Sequence, residues 1–355
     1  MRIAKPLLLA STMLAATVVS ANAEVKVVAS IKPVHSLVAA VMEGVGTPGL
    51  IVEGADSPHT FAMKPSHAAM LEQADVVFWV GHELEAFLEK PLETIAAKAK
   101  KVELMDAHGL VKLAFREGGA FDEHDHGAHK EHSHDEHKEH EHAEKHDHEK
   151  KHEDEHHHAK RNNHSEDAKK DAHKHDEHAH HGEHDAHIWL DPVNAKAIVH
   201  EIEEVLAAND PANANAYGKN AHAVIKKLDT LISDISTDLK PVKEKRFIVF
   251  HDAYHYFEAR FGLAAAGSIT VSPEVMPGAE RINEMRERVA HLGASCVFAE
   301  PQFEPKLAKT VVEGSKAKIG VLDPLGASIQ AGPGLYFQLL RNMGASFKTC
   351  LGETS

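Results

Sequence analysis

Residues 211–239 read PANANAYGKNAHAVIKKLDTLISDISTDL. The preceding Asn209-Asp210 supplies a capping residue, and Pro211 suits the first helical position. Tyr217, Ala221, Val224, Leu228, Leu231 and Ile235 then recur at steps of three and four, which predicts one long helix with a single apolar face. About 29 residues at 1.5 Å each make a rod near 40 Å. Such a rod can run along two lobes as a stiff connector, so small lobe movements are expected.

On both sides of this stretch the chain alternates short strands with helices. Before it, strands are predicted at 25–29, 50–52, 76–80 and 102–104, with helices at 33–43, 65–73, 84–100 and 192–207. After it come strands at 247–250, 269–271, 296–299 and 319–322, with helices at 253–261, 278–292, 305–314 and 334–344. Alternation of this kind predicts an α/β fold: two lobes, each a parallel sheet flanked by helices, joined by the long rigid helix. Ligands of such sheets sit beyond the carboxyl ends of the strands, here between the lobes.

Two segments stand outside this pattern. Arg2 and Lys5 precede the mostly apolar stretch 7–19, and Ala21-Asn22-Ala23 follows as a small-x-small cleavage site. Residues 1–23 therefore read as a secretory signal peptide with Glu24 as the mature start, and the location as periplasmic. From Asp122 to Ala186 the chain holds 21 His, 21 acidic and 10 basic residues, so the segment carries −11 (10 basic against 21 acidic) of a formal net charge of −15. With almost nothing apolar to bury, it is expected to be a disordered, His-rich insertion. The resulting division is 24–121 with 187–209 as an N-terminal metal-binding lobe, 122–186 as the insertion, 210–239 as the linking helix and 240–355 as the C-terminal lobe.

Composition narrows the function. An excess of 54 acidic over 39 basic residues excludes a nucleic-acid-coating protein, and aromatics at 5% disfavour stacking surfaces. Only two cysteines exist, Cys296 and Cys350. In an oxidising compartment they most simply form one disulfide; a thiolate metal site would need neighbouring ligands that are not evident.

The abundance of histidine, 32 in all, points to metal. Outside the insertion, His59 follows the strand at 50–52 in a turn-rich stretch, His187 opens HIWLDP before a helix, and His251 follows the strand at 247–250. Asp323 holds the same relation to the strand at 319–322, in LDPLG. Each alone can be an ordinary turn residue, and Asp323 before Pro324 can be a helix-start residue. Together, neutral imidazoles and one carboxylate make a four-coordinate set suited to zinc. His124, His126, His129, His132, His134, His137, His140 and His142 head the insertion, which lacks fixed ligand spacing and is expected to bind several Zn²⁺ ions weakly as an auxiliary collector. A merely solvating acidic linker is the competing reading. His35, His82 and Glu83 lie near strand ends, where auxiliary contacts and plain turn roles are both open.

The order H-x5-P-S (His59 to Ser66), HIWLDP, FHDAYHYF, PGAERI, FAEPQF and LDPLG resembles the zinc-specific periplasmic solute-binding proteins of bacterial ABC importers, the ZnuA-type family of metal-binding cluster A-I. The resemblance implies metal histidines at His59, His187 and His251, a Cys296–Cys350 pair, and Zn²⁺ as bound substrate. It also implies delivery to an ABC permease and, through that membrane subunit, its ATPase, by a monomer that performs no chemistry and binds no nucleic acid. Some members carry a carboxylate directly before the first ligand; here Pro58 stands there, leaving Asp323 or water as fourth ligand. Related manganese binders place a carboxylate where His251 stands, and imidazole shifts preference toward Zn²⁺. A manganese binder or adhesin of the same fold is the alternative. A zinc hydrolase is disfavoured because outside the His-rich insertion no HExxH motif occurs and no general base stands beside a ligand in a recognisable pattern.

Overall fold

The first strand, VVASI, is buried at every position, as a strand covered on both faces requires. It begins a computed structural model that describes residues 24–116, 121, 184–270 and 273–352. The leader at 1–23 and the insertion histidines His124 to His142 lie outside the described residues.

In the N-terminal lobe, β1 (Val27–Ile31), β2 (Gly49–Val52), β3 (Val76–Trp79) and β4 (Lys100–Glu103) form a sheet in the order β2-β1-β3-β4. The C-terminal lobe repeats the order as β6-β5-β7-β8, from β5 (Phe247–Val249), β6 (Ala265–Ser268), β7 (Cys296–Ala299) and β8 (Lys318–Val321). Every strand pair in both sheets is parallel. The helices are α1 (Lys32–Val41), α2 (Pro65–Glu72), α3 (Glu89–Thr94), α4 (Pro192–Asn209), α5 (Ala214–Leu239), α6 (His255–Phe261), α7 (Ala279–Leu292), α8 (Lys306–Val312) and α9 (Leu335–Leu351).

Helix α5 is the predicted rod, 26 residues or about 39 Å. Its buried face is Tyr217, Ala221, Val224, Leu228, Leu231, Ile235 and Leu239. That face packs on α1 and α4 of the first lobe and on α9 of the second. One hydrophobic core consequently runs through both lobes, from Val28 and Leu37 through Leu228 to Phe247 and Phe347. Strand β5 and the residue after it divide their side chains with period two: Phe247 and Val249 join this shared core, while Ile248 and Phe250 face a second cluster with Met285, Val289 and Val297. Cys296 and Cys350 are disulfide-bonded, tying β7 to the end of α9 across a separation of 54 residues. In the chain-entropy account this closure contributes about 4 kcal/mol.

Polar contacts pin the lobes at several points. Arg116 forms a double ion pair with Asp252 and Glu258. Arg260 grips Asp191 through two hydrogen bonds, of 2.7 and 2.8 Å. Lys32 donates to the carbonyls of Gly326, Ala327 and Ile329. Asp191 also caps α4, accepting from Val193 N with Pro192 in the first turn.

Four predicted elements are corrected. The helix at 84–100 is only a short turn at Ala86–Leu88 followed by α3, and β4 opens at Lys100. The strand placed at 269–271 lies earlier, at Ala265–Ser268, where pairing with β5 overrides weak strand propensity. Helix α9 does not stop at Gly344 but runs on to Leu351. A Cβ at 344 would lie 3.4 Å from Ile235, so this glycine marks the close approach of α9 to α5. Finally, packed structure resumes before Ala186: His184 bridges to Ala114, and Asp185 and Ala186 are buried.

Candidate metal centre

His59 sits on a short turn, Pro58–Thr60, that follows β2, and Pro58 itself is buried. His187 precedes the turn Ile188–Leu190, whose apolar residues are fully buried and anchor it. His251 directly continues the strand β5 run through Phe250. These three arrive from separate parts of the chain with ring centres 5.4, 5.7 and 5.4 Å apart. One nitrogen of each lies within 4.8 Å of the others. Imidazoles held at about 2.0–2.1 Å around a tetrahedral zinc would have ring centres roughly 5.2 Å apart. The observed triangle is therefore close to ligating geometry without rearrangement. Trp189, Gln302, Phe303 and Leu325 close the pocket walls around it.

Two of the rings are aimed by carboxylates. His187 Nδ1 lies 2.7 Å from Asp185 Oδ1, which also accepts from the His187 backbone N–H. His251 Nδ1 lies 2.7 Å from Glu300 Oε1. Each contact fixes the proton on Nδ1 and turns Nε2 toward the pocket, the carboxylate–histidine arrangement that orients metal ligands. His251 Nε2 is buried and makes no hydrogen bond. Burial alone would lower the pKa of His251, but the charge of Glu300, with Asp252 and Asp185 behind it, reverses this and raises it.

Asp323, expected as the fourth ligand, is not brought to the histidines. Its Oδ1 accepts from the backbone N–H groups of Leu325 and Gly326 and from Gln302, and its Oδ2 accepts from Ala327 N. The sheet order explains the difference. Asp323 follows β8, which is two strands from β5 in β6-β5-β7-β8, a lateral offset of roughly 10 Å. Glu300 follows β7, the immediate neighbour, and was missed in the sequence. Its signal lies in the register: Phe247 pairs with Cys296 and Ile248 with Val297, and extending that offset sets His251 opposite Glu300. Asp185 was hidden among the acids of the insertion.

Comparison with known proteins shows the family. Residues 27–350 match the family described as ZnuA, zinc-uptake complex component A periplasmic. A high-affinity zinc uptake system protein of Brucella suis is 57% identical over 327 residues, covering 92% of each chain. A protein of the same name from Yersinia pestis is 35% identical over 97% of this chain and 98% of its own length. Among solved structures, a ZnuA crystal structure superposes with a TM-score of 0.67 at 20% identity, covering 93% of this chain and all of the other. A ZnuA deletion mutant with zinc bound gives a TM-score of 0.68 at 20% identity, over 94% of this chain and 100% of that one. At that identity the two structures speak for the fold.

Proposed function

This chain belongs to the ZnuA family, and from that premise we propose that His59, His187 and His251 hold one Zn²⁺ ion between the lobes. The protein captures zinc in the periplasm for import by an ABC transporter. The observation that carries the site is the convergence of three histidine nitrogens within 4.8 Å of one another.

Three neutral imidazoles bring no charge to the ion. Asp185 and Glu300, one step behind them, supply two negative charges that balance it. Water takes the fourth position, since Pro58 has no ligating side chain and Asp323 is engaged by backbone N–H groups. The protein acts as a binding component rather than an enzyme: it takes up the ion and hands it, as a monomer, to a membrane permease served by an ATPase. Among the described residues no helix is long and apolar enough to cross a membrane. The His-rich insertion collects further Zn²⁺ more weakly, and residues 1–23 direct export. The core shared between the lobes favours small lobe movements during capture.

The test is metal content and competition titration of the mature chain with and without the insertion, beside His59→Ala, His187→Ala and His251→Ala. One tightly held Zn²⁺ per chain, surviving loss of the insertion and weakened by each substitution, is the expected result. If tight binding disappeared with the insertion and ignored the three substitutions, the cleft would not be the site.

A further inference from the structure

At the opposite edge of the N-terminal sheet from the loop carrying His59, the carboxyl ends of β3 and β4 bring together a second group of metal-ligating side chains. Trp79 pairs with Glu103 in the register of these strands, and the chain turns sharply at Gly81 into His82 and Glu83. His82 Nδ1 lies 3.2 Å from Glu83 Oε2 and 3.6 Å from Glu103 Oε1. All three atoms lie within 4.8 Å of one another. Zinc bonds of about 2.0–2.2 Å to nitrogen and oxygen, arranged tetrahedrally, set ligand atoms roughly 3.3–3.5 Å apart. The two measured separations straddle that edge length.

Two further observations favour an ion there. Glu83 Oε2 is closed to solvent and accepts no hydrogen bond, with His82 Nδ1, at 3.2 Å, as its ion-pair neighbour when that ring is protonated; beside a neutral ring, a cation would balance it. Gly81 leaves the two carboxylates room to converge: a Cβ at this position would lie 2.8 Å from Glu103 Oε1 and 3.3 Å from Glu83 Oε2.

We infer that His82, Glu83 and Glu103 form a second Zn²⁺ site on the N-terminal lobe, separate from the three-histidine centre. One imidazole and two carboxylates carry two negative charges, which one Zn²⁺ neutralises. The mixed nitrogen and oxygen set suits Zn²⁺ better than the all-oxygen shells preferred by Ca²⁺ and Mg²⁺. Because the His82 side chain is 56% exposed, water completes the shell and the ion exchanges directly with solvent. The site does not depend on the cleft reading, and its test is resolved residue by residue.

The full mature chain is treated with diethyl pyrocarbonate, and modification of His82 is followed by peptide mass spectrometry as Zn²⁺ is raised past saturation of the cleft. With Nδ1 on zinc and the proton held on Nε2, His82 has no free lone pair, and its modification should slow by about tenfold. Glu103→Gln and Glu83→Gln should each abolish that zinc-dependent protection while leaving circular dichroism unchanged. A His82 rate indifferent to zinc would overturn the site, leaving an ordinary ion pair. Protection persisting in both carboxylate variants would overturn it as well, by showing that something else shields His82. Anomalous scattering at the zinc edge from soaked wild-type crystals gives an answer free of folding effects: a peak among these three side chains supports the site, and a filled cleft with none here rules it out.

Discussion

The two carboxylate–histidine pairs of the centre are built in different ways. Asp185 reaches His187 from two residues away in the same loop, and its one oxygen holds both the ring and the backbone N–H of that histidine. Glu300 reaches His251 from 49 residues away, because parallel pairing of β5 with β7 sets the two strand ends side by side. One pair is local and needs only its loop; the other exists only once a sheet has formed. Both pairs also lie against α6, where Tyr256 donates to the carbonyl of Asp185 and Glu258 helps to hold Arg116, the partner of Asp252 beside His251.

The largest effect should come from breaking what the two pairs share. Arg116 neutralises Asp252, next to His251, and the buried Glu258. Arg116→Ala would leave two carboxylates facing each other without a counter-charge, at a cost of about 3–5 kcal/mol. Urea denaturation should register that loss, and zinc affinity should fall because both arms loosen together. Arg116→Lys should recover only part, since one ammonium cannot reproduce contacts to two carboxylates. An unchanged urea midpoint would show that the pairs do not depend on this clamp.

Next come the carboxylates themselves. Asp185→Ala and Glu300→Ala should each weaken Zn²⁺ binding by about 10–100-fold, read by competition with a chelating dye. The comparison sharpens with the conservative variants. Asp185→Asn keeps an oxygen for both N–H groups of His187 and should lose less than Asp185→Ala. Glu300→Gln should keep His251 oriented but remove the charge that raises its pKa. If Glu300→Ala bound zinc as wild type does, the long-range pair would be incidental.

A smaller effect, and one of distinctive form, concerns protons. In the metal-free protein His251 holds its proton to a pH above its ordinary 6.5, because Glu300 outweighs burial. Zinc must displace that proton. Affinity is therefore full above the raised pKa and falls as pH drops through it, by up to about tenfold per pH unit for one proton. In Glu300→Gln the fall should begin at lower pH, even though the plateau affinity is reduced. Competition titrations between pH 5 and 8 would separate the two profiles; coincident profiles would mean that Glu300 does not set the proton on His251.

The local and long-range pairs also show what was legible in the sequence. The three histidines could be placed because each follows or precedes a recognisable element, and β-branched runs located most strands. Glu300 could not be assigned by spacing, since its role depends on strand order and register rather than on FAEPQF itself. The same limit applies to Asp323, which occupies a strand end like that of His251 but lies two strands away. Strand β6, AAGS, carries no β-branched residue and is a strand only because β5 pairs with it. Gly344 resembled a helix end because its packing against Ile235 is a tertiary fact. Asp185, though local, was masked by composition, one acid among 21 in its segment.

The smallest predicted effect tests whether the local pair is as self-sufficient as its loop suggests. Tyr256 is buried, its hydroxyl donating to Asp185 O at 2.8 Å and accepting from Leu113 N at 3.0 Å. Tyr256→Phe would leave that carbonyl and that N–H without their partner, at a cost of about 1–2 kcal/mol. If Asp185 and His187 form an independent unit, the stability loss should appear in urea denaturation while zinc affinity changes less than about threefold, under 0.7 kcal/mol. A drop comparable to that of Asp185→Ala would instead mean that the loop is held from α6. The local pair would then depend on the second lobe as fully as the pair made by Glu300 does.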